Sequence, residues 1–162
     1  MKVVANSTPL IGLSKIRQLE LLRDVYGSII IPEEVYTEVV IDGAGESGAA
    51  EVAAAQWISH QAVTDKNQVM ILRNSTPLGL GECGTIVLAE EIDAQRVIID
   101  DRTARRVAMT RGLPIIGIVG VLLVAKTRHI IPDVKPILDN LRDHGTRISQ
   151  RLYHQTLTTA GE

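Results

Sequence analysis

Residues 96–116 read RVIIDDRTARRVAMTRGLPII, and the order of pattern within them decides the fold. Arg96–Ile99 is a short apolar run suited to a buried strand, and it stops at the acidic pair Asp100-Asp101. Thr103–Arg111 then carries a helical pattern that ends at Gly112, and Pro114–Ile116 is a second short strand. Two short strands separated by one helix make a parallel crossover, because a hairpin would need only a tight turn between them.

The same alternation runs through most of the chain. Val3–Ala5 predicts a buried strand, and Thr8-Pro9 reads as a helix cap followed by proline at the first helical position. The helical pattern continues from Leu10 to Leu22, with a break near Arg17, and closes at Tyr26-Gly27. Ser28–Ile31 predicts a second strand. Pro32-Glu33-Glu34 opens a helix that carries Val35, Glu38 and Val39, with acids in the first turn where they complement the helix dipole. Asp42–Gly48 is a glycine-rich loop and Ala49–Trp57 a short helix, while Val69–Leu72 fits a minor strand or part of a helix. A helix runs from Glu82 to about Ile92. The last third is helical: Val121–Thr127, Val134–Asp143 and Ser149–Thr158. The expectation is one α/β domain over residues 1–162, with a central, mainly parallel sheet and no linker. The string NSTPL occurs at Asn6–Leu10 and again at Asn74–Leu78, and predicts the same turn and cap used twice rather than a duplicated unit.

Composition narrows the function. With no Phe, one Trp and three Tyr in 162 residues, the core must be aliphatic, and an RNA-binding surface built from stacking side chains is argued against, so any nucleic-acid contact would rely on charge. The net charge of −2 gives no global attraction to nucleic acid, but the charges are segregated. Acids crowd Glu33–Glu51, while Arg102, Arg105, Arg106 and Arg111 follow the aspartate pair and Lys126, Arg128, Lys135, Arg142, Arg147 and Arg151 populate the last third. Cys83 is alone, which excludes a disulfide framework or a cysteine metal site. The N-terminal residues lack a signal-peptide pattern, and the longest apolar stretch, Leu113–Ala125, falls short of the roughly 18 residues of a membrane span. A cytoplasmic protein without membrane contact is expected.

Asn6, Glu38, Glu82, Asp100 and Asp101 form the candidate site. Residues just past the carboxyl ends of parallel strands share one rim, where sites form. Asn6 follows the first strand and the aspartate pair follows the clearest later one, while Glu38 and Glu82 lie near helix starts that can face the same rim. Carboxylates crowded there repel one another unless a hard divalent cation such as Mg2+ or Mn2+ neutralises them. Taken singly, each acid is explained as well by the helix dipole or a helix cap. Gly79–Gly84 also matches G-x-G-x-x-G. Pro77 and a polar run separate it from any upstream strand, however, and Glu82 would set an anion against a pyrophosphate, so the glycines are expected to shape the start of the Glu82 helix. His60, His129, His144 and His154 have no metal spacing.

Five stretches in order carry a resemblance: ANSTPLIGLSKI at 5–16, IIIPEEVYTEVV at 29–40, LGLGECGTIVLAEE at 78–91, RVIIDDRTARRVAMTRGLPIIGIVGVLLVAK at 96–126, and the tail from His129 to RISQRLYHQTLTTAGE at 147–162. Together they resemble the PIN-domain superfamily of nucleases, in particular a prokaryotic branch related to VapC-type toxins. The resemblance implies a three-layer α/β/α sandwich and a carboxylate cluster that holds Mg2+ or Mn2+. It further implies cleavage of RNA, control by a partner antitoxin protein, and a homodimer. Residue by residue, it implies metal-holding roles for Glu38, Glu82 and Asp100 or Asp101. Ser7, Arg102, Arg105 and Arg106 would meet substrate phosphate. Asn6 stands where the family usually has Asp, so a catalytically weak or inactive binding module with the same fold is the alternative.

Overall fold

The computed structural model describes residues 1–162 in full. Its five strands, β1 (Val3–Ala5), β2 (Ile29–Pro32), β3 (Ile58–Gln61), β4 (Arg96–Ile98) and β5 (Ile115–Ile116), form one sheet in the order β3-β2-β1-β4-β5. All four pairings are parallel. Side chains alternate across the sheet, so each strand feeds two cores. Val3, Ala5, Ile29, Ile31 and Ile98 enter the larger one, while Val4, Val97 and Ile99 enter the smaller.

Helices cover both faces. The larger core is closed by α1 (Ser7–Lys15), α2 (Leu21–Tyr26), α8 (Ile118–Thr127), α9 (Lys135–Asp143) and α10 (Gln150–Ala160), through residues such as Leu10, Leu22, Leu122, Leu138 and Tyr153. Val35 of α3 (Glu33–Tyr36) and Val52 of α4 (Ala49–Ala54) join that core. On the other face, α5 (Lys66–Ser75), α6 (Leu80–Glu91) and α7 (Arg102–Thr110) contribute Leu72, Ile86 and Ala104. The result is a three-layer α/β/α sandwich. No helix is long and apolar enough to cross a membrane.

Several local expectations are corrected. Helix α1 begins at Ser7 with Asn6 as the capping residue, not Thr8, and Pro9 is its third residue. Proline is tolerated there because the first helical N–H groups have no intrahelical partner. The break near Arg17 is real: Arg17 has φ +58, and α2 starts afresh at Leu21. Residues 69–72 lie inside α5. The second NSTPL does not repeat the first, since Asn74 and Ser75 end α5 whereas Asn6 and Ser7 start α1. Thr76 Oγ1 donates to the Leu72 carbonyl at 2.6 Å and thereby closes the end of α5.

Strand β3 was hidden in the sequence. Its residues Ile58-Ser-His-Gln61 form the edge of the sheet, and only Ile58 is buried, so no apolar run or clean alternation marks it. The helix expected through Trp57 stops at Ala54, and a turn over residues 55–57 leads into β3.

Candidate active site

The sheet changes direction at β1, which pairs with β2 on one side and β4 on the other. In an open parallel sheet the crevice beyond the strand ends at such a point is where ligands bind. Asn6 sits there: its N–H donates to the Ile98 carbonyl at 3.0 Å and ties β1 to β4. The residue is 1% exposed, and its side-chain oxygen Oδ1 has no hydrogen-bond partner. A buried amide oxygen left unpaired costs free energy. Ser7, the next residue, is 5% exposed and opens α1.

The two aspartates after β4 diverge. Asp100 Oδ1 accepts a hydrogen bond from the N–H of Ile118, the first residue of α8, at 2.8 Å. Burial pushes its carboxyl up, opposed by that N–H and by the Arg105 guanidinium. Arg105 Nη1 donates to the Ile99 carbonyl at 2.8 Å. Gly117 makes room for the cluster, since a Cβ there would lie 2.8 Å from Arg105 Nη1 and 3.0 Å from Asp100 Oδ1. Asp101 turns the other way. Its Oδ2 accepts from the Ala104 N–H at 2.9 Å and caps α7, and its charge is felt by Glu82.

Glu82 is the third residue of α6. Burial pushes its carboxyl above the usual carboxylate range, and the charge of Asp101 raises it further; the Gly79 backbone N–H works in the opposite direction, and Glu38 adds to the rise. Glu82 Oε2 is buried without a partner. Glu38 reaches the same place from a π-helical turn, Thr37–Ile41, that continues α3. A wider turn of this kind commonly marks a functional site.

Glycines allow these helices to meet. A Cβ on Gly81 would stand 2.5 Å from Glu38 Oε2, and one on Gly84 would stand 3.0 Å from the carboxyl carbon of Glu34. The glycines of the G-x-G-x-x-G pattern therefore admit carboxylates from α3 and its π-helical extension.

These acids border a cleft of about 450 Å³ lined by Glu33, Glu34, Glu38, Asp42 and Glu82, with Lys66 as its one basic residue. The carboxylates along the cleft fit a hard divalent cation: like charges are crowded together, and buried oxygens of Glu34 and Glu82 lack partners, whereas Asn6, Asp100 and Asp101 are not among the lining residues. No three His, Cys, Asp or Glu side chains stand close enough together to clasp an ion by themselves.

Among the arginines, Arg102 and Arg106 are exposed one helical turn apart on α7, whereas Arg105 is held beside Asp100. Two contributors escaped the sequence reading. Glu34 lies one turn before Glu38 and was explained by the helix dipole, although that spacing puts both acids on one helix face. Glu33 carries His60, whose Nδ1 lies 2.6 Å from Glu33 Oε1; the contact depends on the unrecognised strand β3.

No curated protein matches the chain. A family model described as a PIN domain matches residues 2–162.

Proposed function

The chain belongs to the PIN-domain family, a nuclease-type fold, and we propose that it is a metal-dependent endoribonuclease, the toxin of a toxin–antitoxin pair, acting at the acidic cleft. The observation that carries this reading is the buried, unpartnered oxygen of Glu82 on the wall of a cleft shared with Glu33, Glu34 and Glu38, where burial and the charge of Asp101 push its carboxyl up. Such crowding is unfavourable unless a proton or a cation relieves it.

Glu82, Asp101 and Glu38 would hold Mg2+ or Mn2+, and Asn6 would add a neutral oxygen. An ion bound there supplies a water of lowered pKa and positive charge beside the phosphate. Asp100 has a positioning role, because it links the end of β4 to the start of α8 through Ile118. Arg102 and Arg106 steer the RNA backbone by charge. Arg105, engaged by the Ile99 carbonyl, keeps the β4–α7 turn in shape. An antitoxin protein and a homodimeric state complete the proposal and rest on the resemblance to VapC-type toxins.

The test is cleavage of single-stranded and structured RNA with Mn2+ or Mg2+ by the native chain, Glu82→Gln and Asp101→Asn. Loss of cutting in both variants supports the assignment. Equal cutting by all three proteins would sink it.

A second reading, a binding or regulatory module with weak metal affinity, is favoured by one observation: Asn6 brings no charge, and no three carboxylates already clasp an ion. Calorimetric titration of Mn2+ into the native chain and Asn6→Asp separates the two. Tight binding by the native chain removes the second reading, whereas binding by Asn6→Asp alone establishes it.

A further inference from the structure

The short supply of aromatic rings makes their placement informative. Of three tyrosines, Tyr153 is buried in the larger core and Tyr26 packs against that core from α2. Tyr36, the last residue of α3, stacks on His60 of β3, with ring centroids 4.0 Å apart and planes inclined by 21°. The His60 side chain is 44% exposed, so one ring face meets Tyr36 while a large part of the ring stays open to solvent. His60 Nδ1–H donates to Glu33 Oε1 at 2.6 Å, which fixes the ring orientation. Glu33 in turn lines the acidic cleft together with Glu38 and Glu82. A pre-oriented ring on a sheet edge, joined through one carboxylate to the wall of the candidate active site, is more than core packing requires.

We infer that the outer face of His60, backed by Tyr36, is a stacking subsite for one unpaired nucleobase of an RNA strand lying in the cleft. The inference rests on the proposed ribonuclease reading and adds the place where one base of the strand is held. Every base has a π face, and a single-stranded base can leave its neighbours to use it, whereas a paired base cannot. Charge supports the same division of labour. The wall around Glu33, Glu34 and Asp42 repels a phosphate but accepts an uncharged base, and the second oxygen of Glu33 is an acceptor for a base N–H. The aromatic poverty of the sequence argues against a surface built from stacking side chains and leaves nucleic-acid contact to charge; the His60–Tyr36 stack is the exception, enough for a single base.

The experiment measures binding, in EDTA, of a short RNA containing 2-aminopurine, as a single strand and as a duplex, to the native chain, His60→Ala and His60→Phe. Far-UV circular dichroism and thermal melting establish that the variants are folded. The expected result is quenching of the single strand by the native chain, binding roughly tenfold weaker in His60→Ala, near-native binding in His60→Phe, and little quenching of the duplex. Unchanged binding by His60→Ala, equal loss in His60→Phe, or equal quenching of the duplex each overturns the inference. Absence of single-strand binding by the native chain overturns it as well. The nuclease reading fails separately: RNA held at His60 but left uncut with Mn2+ removes the enzyme and keeps the subsite, while cutting with unchanged KM in His60→Ala does the reverse.

Discussion

Glu82 in the first turn of α6 is buried and feels the charge of Asp101, the cap of α7. Burial and then this neighbour raise the Glu82 carboxyl above 4.5. The folded chain therefore holds that proton more tightly than the unfolded chain, and the associated stability is lost as pH rises from 4.5 through the raised value. Glu82→Gln is expected to melt higher than the native chain at pH 7 and to lose that advantage below pH 4.5. Mn2+ should relieve the same repulsion. At about 100 times its dissociation constant it contributes about 2.7 kcal/mol, or roughly 5–10 °C in a chain of this size, and Glu82→Gln should show much less of the shift. Melting curves across pH, with and without Mn2+, check both outcomes.

Asp100 and Asp101 are neighbours with separable tasks. Asp100→Ala leaves the Ile118 N–H without its acceptor and Arg105 without a neighbouring negative charge, and is expected to cost about 1–3 kcal/mol in denaturant unfolding. Asp101→Asn keeps a good helix cap, so its stability should change little while its Mn2+ affinity falls. Equal effects of the two substitutions on both readouts would refute the division.

Gly81→Ala sets a methyl group where the Glu38 carboxylate now rests, 2.5 Å from Oε2. The flexible end of Glu38 can swing away, and alanine is the better helix former by up to about 1 kcal/mol. The variant should melt at or above the native temperature yet bind Mn2+ about tenfold more weakly, as read by calorimetry. A large drop in melting temperature would instead show that the backbone had moved.

Glu162 provides a control far from the cleft. Its side chain is 12% exposed and accepts hydrogen bonds from Lys126 Nζ and from the N–H groups of Val134 and Lys135. Burial works against its charge, but those donors prevail and bring the carboxyl down to about 2. A depressed carboxylate stabilises the fold above pH 4.5, and that contribution is lost as pH falls towards 2. Glu162→Gln should melt lower than the native chain at pH 7, with the gap closing in acid. A gap unchanged between pH 7 and pH 2 would contradict this account.

The parallel three-layer fold was readable because β1 and β4 are apolar runs followed by polar rim residues, a pattern set by burial on both faces. Asn6, Asp100 and Asp101 could be assigned to that rim for the same reason, and Glu38 and Glu82 only through the helix starts that carry them. What escaped depends on contacts between distant segments. An edge strand exposed at Ser59, His60 and Gln61 leaves no hydrophobic signature, so the His60–Glu33 contact was out of reach. Side-chain alternation ceases where β4 ends, so the sequence could not say which aspartate turns towards α6. The two copies of NSTPL show the same limit: identical residues begin one helix and end another, because the flanking burial decides.

The pairing of β1 with β4, Val3 opposite Arg96 and Ala5 opposite Ile98, also orders events during synthesis. Asn6 and Glu38 leave the ribosome early, but the rim they belong to does not exist until the strand carrying Asp100 and Asp101 has emerged and docked beside β1. Closing so long a loop comes late in folding. A chain made only as far as α6 therefore carries Asn6, Glu38 and Glu82 without the two aspartates that follow β4.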